Sequence, residues 1–354
     1  MKLMKKLTDK RKSTLQIILQ SLPIALAAIV FVIYAATFIP FSTDRMERSV
    51  ALIECESYYQ ICADGKPVIW FKCLGDSCLP EGMSTKADND VTTKTYSTGC
   101  WVNKYPLVAA CPGLLVTANG DSIVEKNIAM ANRSMDSIIK KTAERLSMTI
   151  KKLKRKVEET DYYMRVHNVS DDGYNIMAAY AEEIKKQETE AEEVEKRLNA
   201  MAKGKKAEIR LVTRYTLLYR YDDTTDSIVR TPCNILTLTK TAPLRLLQTA
   251  DEELPDGFSA INMHKWFTPS PSEGDSIYAA ALPGCTQYKY NPENAKPKVF
   301  KGCMLNKHRH NLPRLLTPDG SAVFNRNGQF AGISVNGRII RPTYAGFRLK
   351  RLMK

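Results

Sequence analysis

Residues 319–333, DGSAVFNRNGQFAGI, are the stretch of this 354-residue chain that says most about its fold. Two short apolar runs, residues 322–325 and 330–333, flank the dipeptide Asn327-Gly328. An Asn-Gly pair between such runs is a strong signal for a β-hairpin, because both residues tolerate the left-handed backbone of tight turns. We therefore predict a strand, a tight turn and a second strand here.

Further strand signals lie on both sides of a helical region. Before it they are VALIEC, PVIWFKC, TGCWV, PLVAAC and GLLVTA, within residues 50–121. After it they include IRLVTRYTLLYRY, SIVRTPCNILTLTK and RIIRPTY, within residues 204–354. This order predicts a mainly β body that is interrupted by an α insertion.

Residues 122–203 carry the helical signal. Apolar residues recur at heptad spacing on two arms, separated by the turn sequence Asn168–Gly173. The first arm has Ile139, Leu146 and Leu153 beside Ala143, Ile150, Val157 and Met164, and the second has Met177, Tyr180, Ile184, Gln187, Ala191, Val194, Leu198 and Met201. The pattern predicts an antiparallel coiled-coil hairpin. We call these two rows of residues the seam. Pairing of the two arms with each other explains the seam. The other hypothesis is that the hairpin docks on a partner or on a second copy of the chain.

The N-terminus indicates a membrane anchor. Residues 1–16 form a basic leader, and residues 17–41 carry no charge. About 20 apolar residues span a bilayer, and basic flanks stay in the cytoplasm. We expect a single-pass signal anchor in the inner or cytoplasmic membrane, with the lipid bilayer as a partner and the main body periplasmic or otherwise extracytoplasmic. A cleaved signal peptide is the alternative, although its apolar region is usually only about 7–15 residues.

Cysteine and charge usage narrow the function classes. All nine cysteines follow residue 41, which in an oxidising compartment predicts disulfides, with Cys55, Cys62, Cys73 and Cys78 as candidates. No Cys-x-x-Cys pair occurs, so we predict no metal site, and no motif calls for a cofactor. The formal net charge is +14, but the basic residues are not interleaved with aromatic ones. We therefore expect no nucleic-acid partner.

Several blocks, in order, resemble those of trypsin-like serine peptidases. They are Ser97–Val102, Leu107–Cys111, Leu244–Gln248, Gly274–Gly284 and the opening segment, residues 319–333. The last is the most specific, since strand, Asn-Gly turn and next strand all match the family in spacing. The resemblance implies a trypsin-like double β-barrel, with the helical hairpin inserted between the family's histidine and aspartate positions.

The catalytic residues do not match. The family's mechanism needs a serine nucleophile, a histidine base and a carboxylate that orients the histidine. In register these positions hold Asp319, Cys111 and Pro243. A rival nucleophile, Ser321, lies two residues further on. The chain's histidines are His167, His264, His308 and His310, and none precedes the insertion, where the family's base lies.

The resemblance also indicates a binding role. Gly320 and the segment Ser334, Val335, Asn336 and Gly337 correspond to the family's anion pocket and substrate-binding edge, where a peptide could add as a strand without being cut. We therefore expect a degenerate, non-catalytic member that acts as a scaffold or adaptor in the cell envelope. One alternative is an active envelope peptidase with a non-standard set of catalytic residues. The other is a structural envelope subunit that self-assembles through its hairpin.

Overall fold

A computed structural model describes residues 21–32, 42–75, 77–88, 90–103, 113–119, 122–201, 206–220, 227–237, 243–263, 270–287 and 289–342. The chain packs as two compact units. The first comprises Met1–Ile53, Tyr96–Asn119 and Thr216–Lys354, and the second comprises Glu54–Thr95 and Gly120–Tyr215. The second unit therefore contains the whole helical region, residues 122–203, together with the strand-containing residues 54–95. The sequence pattern alone suggested a hairpin separate from the β body.

The elements follow one another as the sequence predicts, with strands on both sides of the helices. Helix α1 includes residues 21–32. Next come α2 (Thr43–Arg48), β1 (Val50–Ala63), β2 (Lys66–Leu74), β3 (Pro80–Ser84), β4 (Thr93–Asn103) and β5 (Leu114–Ala118). The helices α3 (Ser122–Arg133), α4 (Met135–Val166) and α5 (Tyr174–Met201) follow. The chain continues with β6 (Ala207–Tyr219), β7 (Val229–Ile235), β8 (Leu244–Thr249), β9 (Ile261–Asn262), β10 (Ser276–Ala281), β11 (Lys298–Cys303), β12 (Ala322–Asn325), β13 (Phe330–Val335) and β14 (Arg338–Ile340).

The strands form a nine-stranded sheet, part of which closes into a barrel, and a second, open sheet of five strands. Six strands run in the order β1-β6-β7-β8-β5-β4, and a further pairing of β4 with β1 closes the ring. The other sheet has the order β11-β10-β12-β13-β14, with β11 and β14 at its edges. The expected mainly β architecture is confirmed. The expected second barrel is not seen as a closed ring among the described residues.

The opening segment forms the predicted hairpin of β12 and β13. The Asn325 side-chain oxygen accepts from the backbone N–H groups of Asn327 (3.0 Å) and Gln329 (2.9 Å). Gly328 takes a positive φ of 73°, which closes the turn without the steric cost that a Cβ would bring. The Asn-Gly signal therefore predicted the turn correctly, and Asn325 is the residue that holds it together.

The helices α4 and α5 pack against each other, with departures from the predicted seam. Tyr180 and Gln187 are exposed, whereas Thr142, Thr160 and Ala181 are buried. An α-helix has 3.6 residues per turn, so an apolar stripe drifts away from a strict heptad over several turns. The coiled-coil assignment is thus not supported in detail. The first arm is also broken at Ser134, between α3 and α4.

The base of the hairpin belongs to the core of the second unit. Leu198 of α5 is fully buried together with Ile69 and Phe71 of β2. Two polar anchors reinforce this packing. The Asn132 amide bonds both the carbonyl (3.0 Å) and the N–H (2.7 Å) of Ile209, and Arg197 donates to the carbonyls of Val68 and Thr85, each at 3.1 Å. Removing apolar volume here should therefore loosen both helices and strands.

The predicted membrane span falls mostly outside the described residues. Helix α1 covers residues 21–32 of the predicted span, and the remainder of residues 17–41 is not described. Within the described part of the chain, no helix has both the length and the apolar character needed to cross a bilayer.

No disulfide is found among the described residues. Cys62, Cys73 and Cys78 are free thiols, and Cys55 forms no disulfide with any of them. Cys55 and Cys62 lie on the same strand, seven residues apart, which at about 3.3 Å per residue separates them by roughly 23 Å. A disulfide needs Cα atoms about 4.4–6.8 Å apart. Cys73 instead lies on β2 opposite Glu81.

Candidate functional site

The blocks that carry the peptidase resemblance are strands in the structure. Ser97–Val102 lies within β4, Leu244–Gln248 within β8, and β10, β12 and β13 carry the last two blocks. Leu107–Cys111, with the family's histidine position, lies outside the described residues, as does His264. Pro243 is exposed just before β8, and its carbonyl accepts from the Asn119 N–H at 2.9 Å. No side-chain acceptor for an imidazole is therefore present at that position.

Asp319 is held by two partners. Its Oδ1 accepts from the backbone N–H of Asn336 at 2.8 Å, and its Oδ2 accepts from the Arg314 guanidinium at 2.7 Å. The carboxylate thus ties the start of the β12 segment to the β13–β14 turn. It occupies the place where the resemblance puts a nucleophile, and a negative charge there opposes binding of a second anion.

Gly320 is where the backbone of this segment comes closest to β4. Its φ is +100°, a conformation that L side chains rarely adopt. A Cβ built on it would lie 1.8 Å from the carbonyl oxygen of Thr98. That carbonyl already accepts from the Thr117 hydroxyl at 2.8 Å. Gly320 is therefore required by packing, and its backbone N–H is used by the Ser334 carbonyl at 2.8 Å.

Ser321 is not placed as a nucleophile. Its side chain is fully buried, and its hydroxyl donates to the carbonyl of Pro318. A catalytic serine needs a base within about 2.6–3.2 Å, and among the described residues no histidine bonds to Ser321. Cys285, in the same unit, does not substitute, because burial raises the pKa of its thiol to about 11 and keeps it protonated.

Among the described residues, one serine–histidine pair is present. His310 Nε2 lies 2.8 Å from the Ser334 hydroxyl, and both residues are buried. The other ring nitrogen, Nδ1, faces the backbone N–H of Leu312 at 3.2 Å. An N–H can only donate, so Nδ1 is the acceptor and the ring proton sits on Nε2.

This tautomer makes His310 the donor to Ser334. A catalytic base must do the reverse, with a free Nε2 lone pair facing the hydroxyl and a carboxylate at Nδ1–H. Burial lowers the pKa of His310, while the neighbouring Asp319 carboxylate opposes that shift. Burial has the larger effect, so the ring is neutral at pH 7 and its two hydrogen bonds are structural. They fix the loop before Asp319 to β13.

The predicted peptide-binding edge is occupied by the chain itself. The Ser334 N–H donates to the Ser321 carbonyl at 2.8 Å, and Val335 pairs with Arg338 of β14. Asn336 and Gly337, with φ of 51° and 70°, form the tight turn between β13 and β14. A peptide strand could add at Ser334–Val335 only by displacing β12 or β14. The resemblance did not reveal this, because β14 is only three residues long and follows the last matching block.

The other two described histidines, His167 and His308, make structural contacts. His167 follows α4, stacks on Tyr163 and bonds its carbonyl. His308 is exposed, and its backbone carbonyl accepts from the Ile339 N–H at 2.8 Å. Among the residues that the structure describes, no group of three or more His, Cys, Asp or Glu side chains is arranged to hold a metal ion. The His310–Ser334 contact, 24 residues apart in sequence, gave no signal in the sequence pattern.

No protein-family profile matches the sequence, and no curated protein matches it. Among solved structures, the chain is similar to Deg5, with 10% identity over 84% of this chain and 85% of that one, at a TM-score of 0.30. It is also similar to the protease domain of MamO from Magnetospirillum magneticum, with 15% identity over 36% of this chain and 68% of that one, at a TM-score of 0.24. Both scores are too low to carry an argument about fold or function.

Proposed function

We propose that the chain is a degenerate, non-catalytic member of the trypsin-like peptidase family that acts as a membrane-anchored scaffold or adaptor in the cell envelope. The sequence blocks support the family. Three contacts support the absence of catalysis. Asp319 is bound by Arg314 and Asn336. Ser321 is buried and bonded to the Pro318 carbonyl, and His310 donates to Ser334 where a catalytic base would accept. The anchor is supported by α1, where Leu22, Ile24 and Phe31 are among the exposed apolar side chains, as suits a helix in lipid.

The observation that carries the adaptor role is the apolar surface near the turn between α4 and α5. Five side chains there are 45–76% exposed, namely Tyr162, Val166, Val169, Ile176 and Tyr180. Soluble helices normally place polar residues on the face away from their partner. Clustered exposed apolar residues mark sites of protein interaction. We name this surface, defined by these five residues, the hairpin tip.

The test is photo-crosslinking from the hairpin tip in cells that produce the full chain. A photoreactive amino acid at Ile176 should give adducts with a different protein, whereas the same group at Met148, 63% exposed on α4 outside the hairpin tip, should not. The adducts should also disappear when Val169 is replaced by Asp. This result would support the adaptor role.

The same experiment separates the alternatives. Homotypic products from Ile176, with no heterologous adduct, would favour the self-assembling subunit. Equal yields from Ile176 and Met148, or none from either, would contradict the proposal. An active peptidase that used Cys111 would be revealed by a thiol-directed peptide probe whose labelling is lost in Cys111→Ser.

A further inference from the structure

A second surface, in the first unit, carries the positive charges of Arg309 and Arg338 on backbone that is held by several hydrogen bonds. The turn from Leu305 to Arg309 precedes His310. The Asn306 side-chain oxygen accepts from the N–H groups of His308 and Arg309, both at 3.0 Å, and the Leu305 N–H donates to the Arg309 carbonyl at 2.8 Å. Every one of these bonds fixes backbone, so the side chains of this turn project from a preorganised support.

The turn places two arginines opposite each other. Arg309 forms an antiparallel bridge with Arg338 of β14. Hydrogen bonds from Ile339 N–H to the His308 carbonyl (2.8 Å) and from His310 N–H to the Gly337 carbonyl (3.2 Å) hold the bridge on both sides. Cβ atoms of directly opposed residues lie about 4.5–5.5 Å apart, and like charges at that spacing are destabilising.

Nothing in the described part of the chain neutralises this pair. Arg309 and Arg338 are exposed, and no described carboxylate lies within 4.0 Å of either guanidinium. Asp319 is paired with Arg314, and Asp275 accepts from the Ser272 N–H.

The two arginines border a cleft of about 570 Å³. Its other lining residues are Asn306, His308, Ile339 and Ile340, and Lys307 and Arg341 line an adjoining hollow. Ile339 and Ile340 are half-buried and give the cleft an apolar part. A cleft with charged and apolar parts suits a chain segment that carries both carboxylates and apolar side chains.

We propose that this arginine cleft binds an acidic peptide segment of a partner protein, with carboxylates on Arg309 and Arg338 and apolar side chains on Ile339 and Ile340. Guanidinium groups bind carboxylates through paired N–H donors, which gives both strength and orientation. A bound carboxylate would also relieve the repulsion between the arginines. The arginine cleft lies in a different unit from the hairpin tip, so each proposal can fail while the other stands.

The test is fluorescence anisotropy with the full chain in a non-ionic detergent. The probe is a fluorescein-labelled decapeptide that alternates glutamate with leucine, and its control replaces each glutamate by glutamine. Binding of the glutamate peptide should weaken roughly tenfold or more in Arg309→Gln/Arg338→Gln, because charge-assisted bonds are lost. It should also weaken at high salt. Arg326→Gln, an exposed arginine in the β12–β13 turn, should bind like the unaltered chain.

Three results would overturn the proposal. One is equal binding of the glutamate and glutamine peptides. Another is an equal loss in Arg326→Gln and in the double variant, which would mean that net charge alone matters. The third is binding of soluble dihexanoylphosphatidylglycerol, without binding of the peptide, that is lost in the double variant. Thermal unfolding guards against misfolding, since removing two like charges should leave the melting temperature unchanged or higher.

Discussion

Replacing Gly320 by alanine is expected to lower the free energy of unfolding by about 4 kcal/mol or more, which places it among the most damaging single substitutions. The new Cβ would lie 1.8 Å from the Thr98 carbonyl oxygen, well inside contact distance, and the residue would have to keep a φ of +100°. Because the opposing Thr98 carbonyl is part of the backbone, it cannot rotate away. The segment must shift, and the hydrogen bond from Gly320 N–H to Ser334 would weaken.

The measurement is urea unfolding of the full chain followed by tryptophan fluorescence, since Trp101 is fully buried in the first unit. Gly337→Ala is the matched control. Gly337 also has a positive φ, of 70°, but its Cβ would meet nothing within 4 Å. It should lose only about 1–2 kcal/mol, the conformational cost alone. Equal losses in the two variants would mean that the close approach of Gly320 to Thr98 is not what makes this glycine necessary.

Replacing Leu198 by alanine should lower the free energy of unfolding by about 3 kcal/mol. Leu198 is fully buried against the apolar side chains of β2 and of the helix bases, which include Ile69, Phe71 and Ile139. Truncation removes buried methyl groups and leaves a cavity. Because these partners come from both strands and helices, helical circular dichroism and the strand signal should be lost together.

Met148→Ala is the control for this change. Met148 is 63% exposed on α4, so its truncation should alter the free energy of unfolding by no more than about 0.5 kcal/mol. Urea unfolding followed by circular dichroism at 222 nm distinguishes the two variants. A Leu198→Ala variant as stable as Met148→Ala would contradict the assignment of the hairpin base to the core of the second unit.

Local signals in the sequence predicted the elements well. Asn327-Gly328 marked the β12–β13 turn, and apolar periodicity marked α4 and α5, because turn chemistry and helix period depend on residues close in sequence. The prediction of which residues form the buried seam was less accurate, since Tyr180 and Gln187 are exposed. Such positions depend on the exact helical period and on the path of the neighbouring helix, which a heptad pattern does not contain.

The candidate site depends on contacts that no local pattern encodes. The sequence placed Asp319 at the nucleophile position, but it did not indicate that Arg314 and Asn336 bind its carboxylate. Ser334 looked like part of an open edge, but β12 and β14 enclose it, and His310 reaches it across 24 residues. The four candidate cysteines were inferred from compartment and count, and their pairing was left open. The extended path of β1, which separates Cys55 from Cys62, became visible only in three dimensions.

Under the proposed function, this chain does not catalyse peptide hydrolysis. The most direct test of this claim is labelling of the purified full chain by a fluorescent fluorophosphonate, which modifies only activated serines, beside trypsin as a positive control. We predict that labelling of the unaltered chain will not exceed that of either Ser321→Ala or a heat-denatured sample. Labelling that is present in the unaltered chain and lost in Ser321→Ala would contradict the claim.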